Sequence, residues 1–276
     1  DSGDYHAVLD KALAVAGYTQ LLRDRDTARA RGLLAGIGIS TCLEPSGGNS
    51  SFEVLFNPKN ETTTWMDSCL VRVDLTGAII GVMNTSSSGQ GHESLVSTAV
   101  GEVLERDPAG IRVIHADSLN ALPSNSPVGS RMAIMLGGAA AGAAQRLRDH
   151  LLRLGAHNLG VAPELCRYSE GNVSLISDAS QCISWDQLVE IAHRKYHKLA
   201  PGMEPGLQET AFYDPANFTY PAGAYICEVE VDEGTGKVDV LAFHCADDFG
   251  NIMNPMIVEG QVHGGVGQGI GQALLE

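Results

Sequence analysis

The chain has 276 residues, 44% apolar and 18% charged, the composition of a soluble globular protein with one large core or two small ones. Its net charge of −15 argues against nucleic acid and against anionic membrane surfaces, both of which require clustered Lys and Arg. The cysteines at 42, 69, 166, 182, 227 and 245 are dispersed, with no C-x-x-C pair. Zinc ribbons and cysteine-ligated iron–sulfur clusters therefore have no local signature, and thiols in a reducing cytoplasm are expected.

No signal peptide opens the sequence, and its apolar helical stretches are too short to span a bilayer. It also lacks an initiator Met, and both ends are abrupt, so a fragment of a longer polypeptide is expected.

Residues 4–31 carry a helical pattern and are followed by the strand-like "LLAGIGISTCLE". "SFEVLF" and "CLVRVDL" are further strand candidates, the latter continuing through "TGAIIGVMNT" as a hairpin with Gly at its turn. In "SSSGQGHESLVSTAVGEVLERD" the apolar positions recur every four residues, predicting a helix from near Gly91. "IRVIHAD" reads as a short buried strand. Residues 130–154 form a second long helix whose Gly/Ala centre suits tight packing. "NLGVAPE", residues 158–164, is the best linker candidate, dividing the chain into subdomains at 1–160 and 161–276. A β-rich stretch to about 178, a helix at 183–198, two strands joined by a GTG turn, and a helix from near Asn254 follow. The expectation is an α/β (α+β) fold with mixed sheets and packed helices.

The last helix is unusual. Six glycines fall within residues 260–271, although each glycine inside a helix costs about 0.8–1 kcal/mol against alanine. Val258, Val262, Val266, Ile270 and Leu274 form an apolar stripe, and Gly260, Gly264, Gly267 and Gly271 a stripe with no side chains. Gln261, Gly265, Gln268 and Gln272 lie along a third, polar stripe. A bare stripe admits either another backbone or a flat ligand whose polar groups the amides could meet. Neither G-x-G-x-x-G nor G-x-x-x-x-G-K-[ST] fits here, and "AGIGIST" supplies no Rossmann fingerprint.

Two other segments point the same way. In "SSSGQGHE", Gly89 and Gly91 flank Gln90 just before a helix N-terminus, where unpaired N–H groups favour an electron-rich ligand. "SNSPVGSRM" again puts small residues and Arg131 at a helix start, where Arg131 could clamp a phosphate or simply be a solvated cap residue. These segments suit a large polar ligand with oxo and phosphate groups, without naming it.

The segment 223–276, with its "DDFGNIMNP" turn and "GQVHGG" helix, resembles the molybdenum hydroxylases: xanthine dehydrogenases, aldehyde oxidoreductases and aerobic carbon monoxide dehydrogenases. "GQGHE" at 89–93 and "GSR" at 129–131 resemble the carbon monoxide dehydrogenase-like branch most. The resemblance runs over almost the whole chain. It implies the second molybdopterin-binding half of a large subunit, holding a molybdenum–molybdopterin cofactor, in bacteria usually the cytosine dinucleotide form. Gln90 would contact the pterin, with Gly89, Gly91 and His92 beside it; Gly129, Ser130 and Arg131 would lie along the pyrophosphate or pterin. Gln261 would be another cofactor contact, and Asp248 and Asn254 would shape the nucleotide end.

The implied reaction is hydroxylation of a C–H bond, or oxidation of carbon monoxide, with water as oxygen source. Electrons would leave through iron–sulfur and flavin subunits or domains, in an oligomeric complete enzyme acting on a small-molecule substrate. Three family features are missing: the Glu of a V-G-E-type motif, the G-G-G-F-G-type loop, and the active-site loop that carries a Cys in true carbon monoxide dehydrogenases. No catalytic residue or metal ligand is expected here, and the chain alone should not turn over. The competing reading is a non-catalytic binding or assembly domain that uses its glycine faces only for packing.

Overall fold

The computed structural model describes residues 3–48, 58–59, 66–125 and 127–276. The strand expected at "SFEVLF" lies outside the described residues. The chain divides into two compact units, one of residues 1–46 with 219–276 and one of residues 47–218. The linear division at 160/161 does not follow these units, because 160 lies well inside the second. What joins the two ends of the chain is strand pairing, which sequence order conceals.

In the first unit, β1 (Leu34–Leu43) and β10 (Val238–Asp248) flank β9 (Ala222–Val231) in an antiparallel sheet, with Leu34 opposite Val231 and Cys42 opposite Gly223. The helix expected over 4–31 is two helices, α1 (Tyr5–Ala16) and α2 (Tyr18–Ala30), broken at Gly17 with φ +61°. Only glycine takes that left-handed turn without strain, so it caps the first helix and redirects the chain. Asp4 caps α1 by accepting from the Ala7 N–H at 3.0 Å. Ala12 and Ala16 then pack against Ala224, Ile226 and Ala246 of the sheet. The last helix, α6 (Pro255–Leu275), begins where expected, with Asn254 accepting from the Ile257 N–H and Pro255 at its first position.

The second unit is built on a four-stranded sheet ordered β4-β3-β2-β8. β2 (Asp67–Val73) pairs antiparallel with β3 (Ile79–Met83) and β8 (Leu207–Tyr213), while β4 (Arg112–His115) pairs parallel with β3. Strand β8 has no clear apolar alternation and was not expected. Helices α3 (His92–Leu104) and α4 (Met132–Leu159) cover the sheet. Leu136, Ala140, Ala143, Leu147, Leu151 and Leu154 form a fully buried stripe along α4, each leucine contributing about 1.5–3 kcal/mol. The helix runs five residues past its expected end at 154, and Gly160 caps it in the left-handed region. A hairpin of β5 (Cys166–Ser169) and β6 (Asn172–Leu175), extended by β7 (Cys182–Ile183), precedes α5 (Trp185–Arg194). Ser184 and Gln187 close a capping box at the start of α5.

Candidate functional site

Two of the sequence-predicted segments meet in the second unit. The first, residues 86–92, leads from β3 into α3. Gly89 (φ +98°) and Gly91 (φ +79°) make the turn, and the space where a Cβ would stand on Gly89 is open. Gln90 is half-buried, and its Oε1 accepts from the Ser88 N–H at 2.5 Å, so its side-chain NH2 is the part that can meet an outside acceptor. His92, the first residue of α3, is buried, with Nδ1 3.3 Å from the Ser86 carbonyl oxygen.

The second segment is the turn 129–131 before α4. Gly129 (φ +67°) and Ser130 (φ +50°) both lie in the left-handed region and both are exposed. Arg131 is 3% exposed. It is therefore not a solvated cap residue, and its guanidinium does not stand open as a phosphate clamp. Its Nη2 lies 2.6 Å from Oδ2 of Asp67, which is fully buried at the head of β2. The Ser124 hydroxyl donates to Oδ1 of the same carboxylate, and the Asn125 backbone N–H donates to it as well. Burial pushes the Asp67 carboxyl above its ordinary 3.8, against the opposing pull of Ser124, Arg131, Asn125 and His92. Burial likewise lowers the Arg131 guanidinium from its ordinary value, while Asp67 opposes that shift.

Asp67 is the residue that sequence reasoning missed. It touches the 124–131 segment at both ends and lies within electrostatic reach of His92 on the other. Its only signal was an acid immediately ahead of an apolar strand.

Beside these segments lies an open groove of about 510 Å³ lined by Asn84, Thr85, Ser86, His115, Ser118 and Ser124, among others. His115 Nε2 is 2.7 Å from Glu93 Oε1. The Glu93 carboxyl is held below its ordinary value chiefly by its own backbone N–H at the start of α3, with His115 adding to the effect. Neither α3 nor α4 has a side-chain hydrogen bond capping its N-terminus. Among the described residues no group of three or more His, Cys, Asp or Glu is placed to hold a metal ion, and no helix is long and apolar enough to cross a membrane.

Asp248, Asn254 and Gln261 lie in the first unit. Asp248 ends β10 and accepts from the Gly250 N–H at 2.9 Å; Asn254 caps α6. Gln261 is exposed on α6. The apolar stripe is legible in the burial: Val258, Val262, Val266 and Ile270 are half-buried. No residue of α6 is fully buried, and a Cβ built on any of its six glycines meets nothing within 4 Å. Close packing of these glycines against another backbone, one of the two occupants the bare stripe admits, is thus not found among the described residues.

Comparison with known proteins places the chain. A family model described as the molybdopterin cofactor-binding domain matches residues 11–276. The chain is 34% identical to the carbon monoxide dehydrogenase large chain of Hydrogenophaga pseudoflava, over 99% of this chain and 34% of that one. It is 31% identical to the nicotine 6-hydroxylase large subunit of Paenarthrobacter nicotinovorans, over 100% of this chain and 34% of that subunit. It superposes on quinoline 2-oxidoreductase from Pseudomonas putida 86 with a TM-score of 0.86 and 30% identity, covering 98% of this chain and 34% of that one. The chain thus spans about a third of the length of these relatives. With its two glycine turns gathered at helix starts and its sequence matched nearly end to end, the chain belongs to the molybdopterin cofactor-binding domain family.

Proposed function

We propose that this chain supplies part of the molybdenum–molybdopterin shell of an oxidoreductase that hydroxylates a C–H bond or oxidises carbon monoxide, with water as oxygen source. The observation that carries this reading is that two glycine turns, 89–91 and 129–130, stand at the starts of α3 and α4, neither capped by a side-chain hydrogen bond, on segments joined where the Thr85 hydroxyl donates to the Asn125 carbonyl oxygen.

The residues suit the group. Backbone N–H groups at helix starts are donors for pterin oxygens and phosphates. The open space over Gly89 and Gly129 leaves room for a flat or phosphorylated ligand to approach the backbone. When bound, the cofactor supplies the two-electron acceptor that amino-acid side chains lack. Gly89, Gln90, Gly91 and Ser130 would hold it, with His92 and Arg131 fixing their turns from within. Asp248 and Asn254 would shape the nucleotide end, and Gln261 would offer its exposed amide from α6. The cytosine dinucleotide form is the one we assign.

The rest of the large subunit would complete the site, and iron–sulfur and flavin partners would carry electrons away in an oligomeric cytoplasmic enzyme. The 276-residue chain alone would not turn over. Carbon monoxide dehydrogenase, nicotine 6-hydroxylase and quinoline 2-oxidoreductase among the relatives support a small-molecule substrate.

Gln90→Leu and Gln261→Leu, each made in the full-length subunit, test the reading. Loss of one amide contact to a buried ligand should lower molybdenum retention by about threefold to tenfold with the fold unchanged. Molybdenum content equal to that of the unmodified subunit in both variants would count against this assignment.

A further inference from the structure

The buried carboxylate between the two turns has no place in the list of groups that would touch the cofactor. Asp67 is fully buried, and its position at the head of β2 is fixed by pairing with β8, where it stands opposite Tyr213. Among the described residues, its hydrogen-bond and ion-pair partners beyond the sheet lie between Ser124 and Arg131, in the segment that leads into α4. Ser124 and the Asn125 N–H reach it from the start of the loop before α4 and Arg131 reaches it from the end, while the Thr85 hydroxyl, at the entry to the turn before α3, donates to the Asn125 carbonyl oxygen at 3.1 Å.

Taking an aspartate and an arginine out of water costs more than their attraction commonly returns, and apolar residues of similar volume are often as stable or more so. A pair of this kind is better explained by the geometry it enforces. That geometry includes Ser130 at φ +50°, which a non-glycine residue keeps only where its surroundings hold it.

We propose that Asp67 is a positioning residue that locks the 124–131 segment and the start of α3 into one arrangement before the cofactor arrives. This deepens the proposed function and rests on it. The carboxylate acts through Arg131 and Ser124, not by contact with the ligand. It lets the backbone donors of both turns meet a bound group without reorganising, which is where such support improves affinity.

The test uses the full-length subunit with its partner subunits, produced in a host that makes the cofactor. Asp67→Asn keeps the shape and removes the charge. Two measurements are made: molybdenum per subunit, and hydrogen exchange of the cofactor-free subunit. Molybdenum should fall roughly tenfold or more. Amides of 86–92 and 127–132 should exchange roughly tenfold faster, while those of β2 and β3 stay protected.

The double variant Asp67→Asn/Arg131→Met removes both charges and serves where the single variant fails to fold. A positioning role predicts a normal melting temperature with molybdenum still lost. A purely structural role predicts that molybdenum returns as the melting temperature recovers, and that result would overturn the proposal. So would a folded Asp67→Asn subunit with full molybdenum and unchanged exchange. An unmodified subunit without molybdenum would instead sink the functional reading, whatever the exchange data say about Asp67.

Discussion

Arg131→Met in the full-length subunit should destabilise the second unit by about 3–5 kcal/mol, because it strands a carboxylate that has no exposure to water. The cost should depend on pH in a defined direction. The Asp67 carboxyl already stands above its ordinary 3.8 through burial, and Arg131 is one of the groups that oppose the rise. Without Arg131 the folded-state value moves further up. An acid whose folded value exceeds its unfolded one binds more protons when folded. Its favourable contribution is therefore fully present below the unfolded value and is lost as the pH rises through the folded one.

The melting temperature of the variant should accordingly fall more steeply than that of the unmodified subunit as the pH rises above the ordinary carboxyl value of 3.8. Denaturant midpoints at several pH values read both effects. A loss under about 1 kcal/mol at neutral pH, the range of an exposed pair, would contradict the buried geometry.

Glycines in the two long helices should respond oppositely to alanine. A Cβ on Gly155 of α4 would stand 2.5 Å from Cβ of Val173, a β6 residue with no exposure. Overpacking of that kind costs about 1–3 kcal/mol, and so short a distance to a branched carbon puts Gly155→Ala at the upper end. The gain in helix propensity, about 1 kcal/mol, offsets only part of it.

On α6 the space around Gly264 is open. Gly264→Ala should therefore stabilise the 276-residue chain by up to about 1 kcal/mol. In the full-length subunit, where we expect the bare stripe to be covered, the same change should reduce molybdenum retention. Thermal melts of the chain and metal analysis of the subunit separate the two effects. Equal behaviour in both settings would mean that the stripe receives nothing.

Local periodicity and capping were legible in the sequence. The apolar stripe of α6, its start at Asn254, the long Gly/Ala helix and the β2–β3 hairpin all follow from spacing and from residues with turn or cap chemistry. What depends on distant pairing was not. Leu34 faces Val231 across the β1–β9 register, so the first unit is assembled from both ends of the chain and no composition change marks its border. Strand β8 has too little apolar alternation to stand out; it is a strand because β2 offers a partner.

The candidate site divides in the same way. Gly89, Gly91 and Gly129 announce themselves as turns. Arg131 reads as a surface cation until the fold sets it against Asp67, another of whose partners, Ser124, lies 57 residues along the chain. Nothing local to Asp67 tells a buried carboxylate from one at a strand's solvated end.

The most direct measurement is the molybdenum content of the full-length subunit, purified from its own host with its partners, together with the nucleotide released by acid. A cofactor-binding subunit should carry near-stoichiometric metal and release a cytosine nucleotide. A folded subunit carrying neither would contradict the proposed function and leave the glycine turns as packing features of a binding or assembly domain.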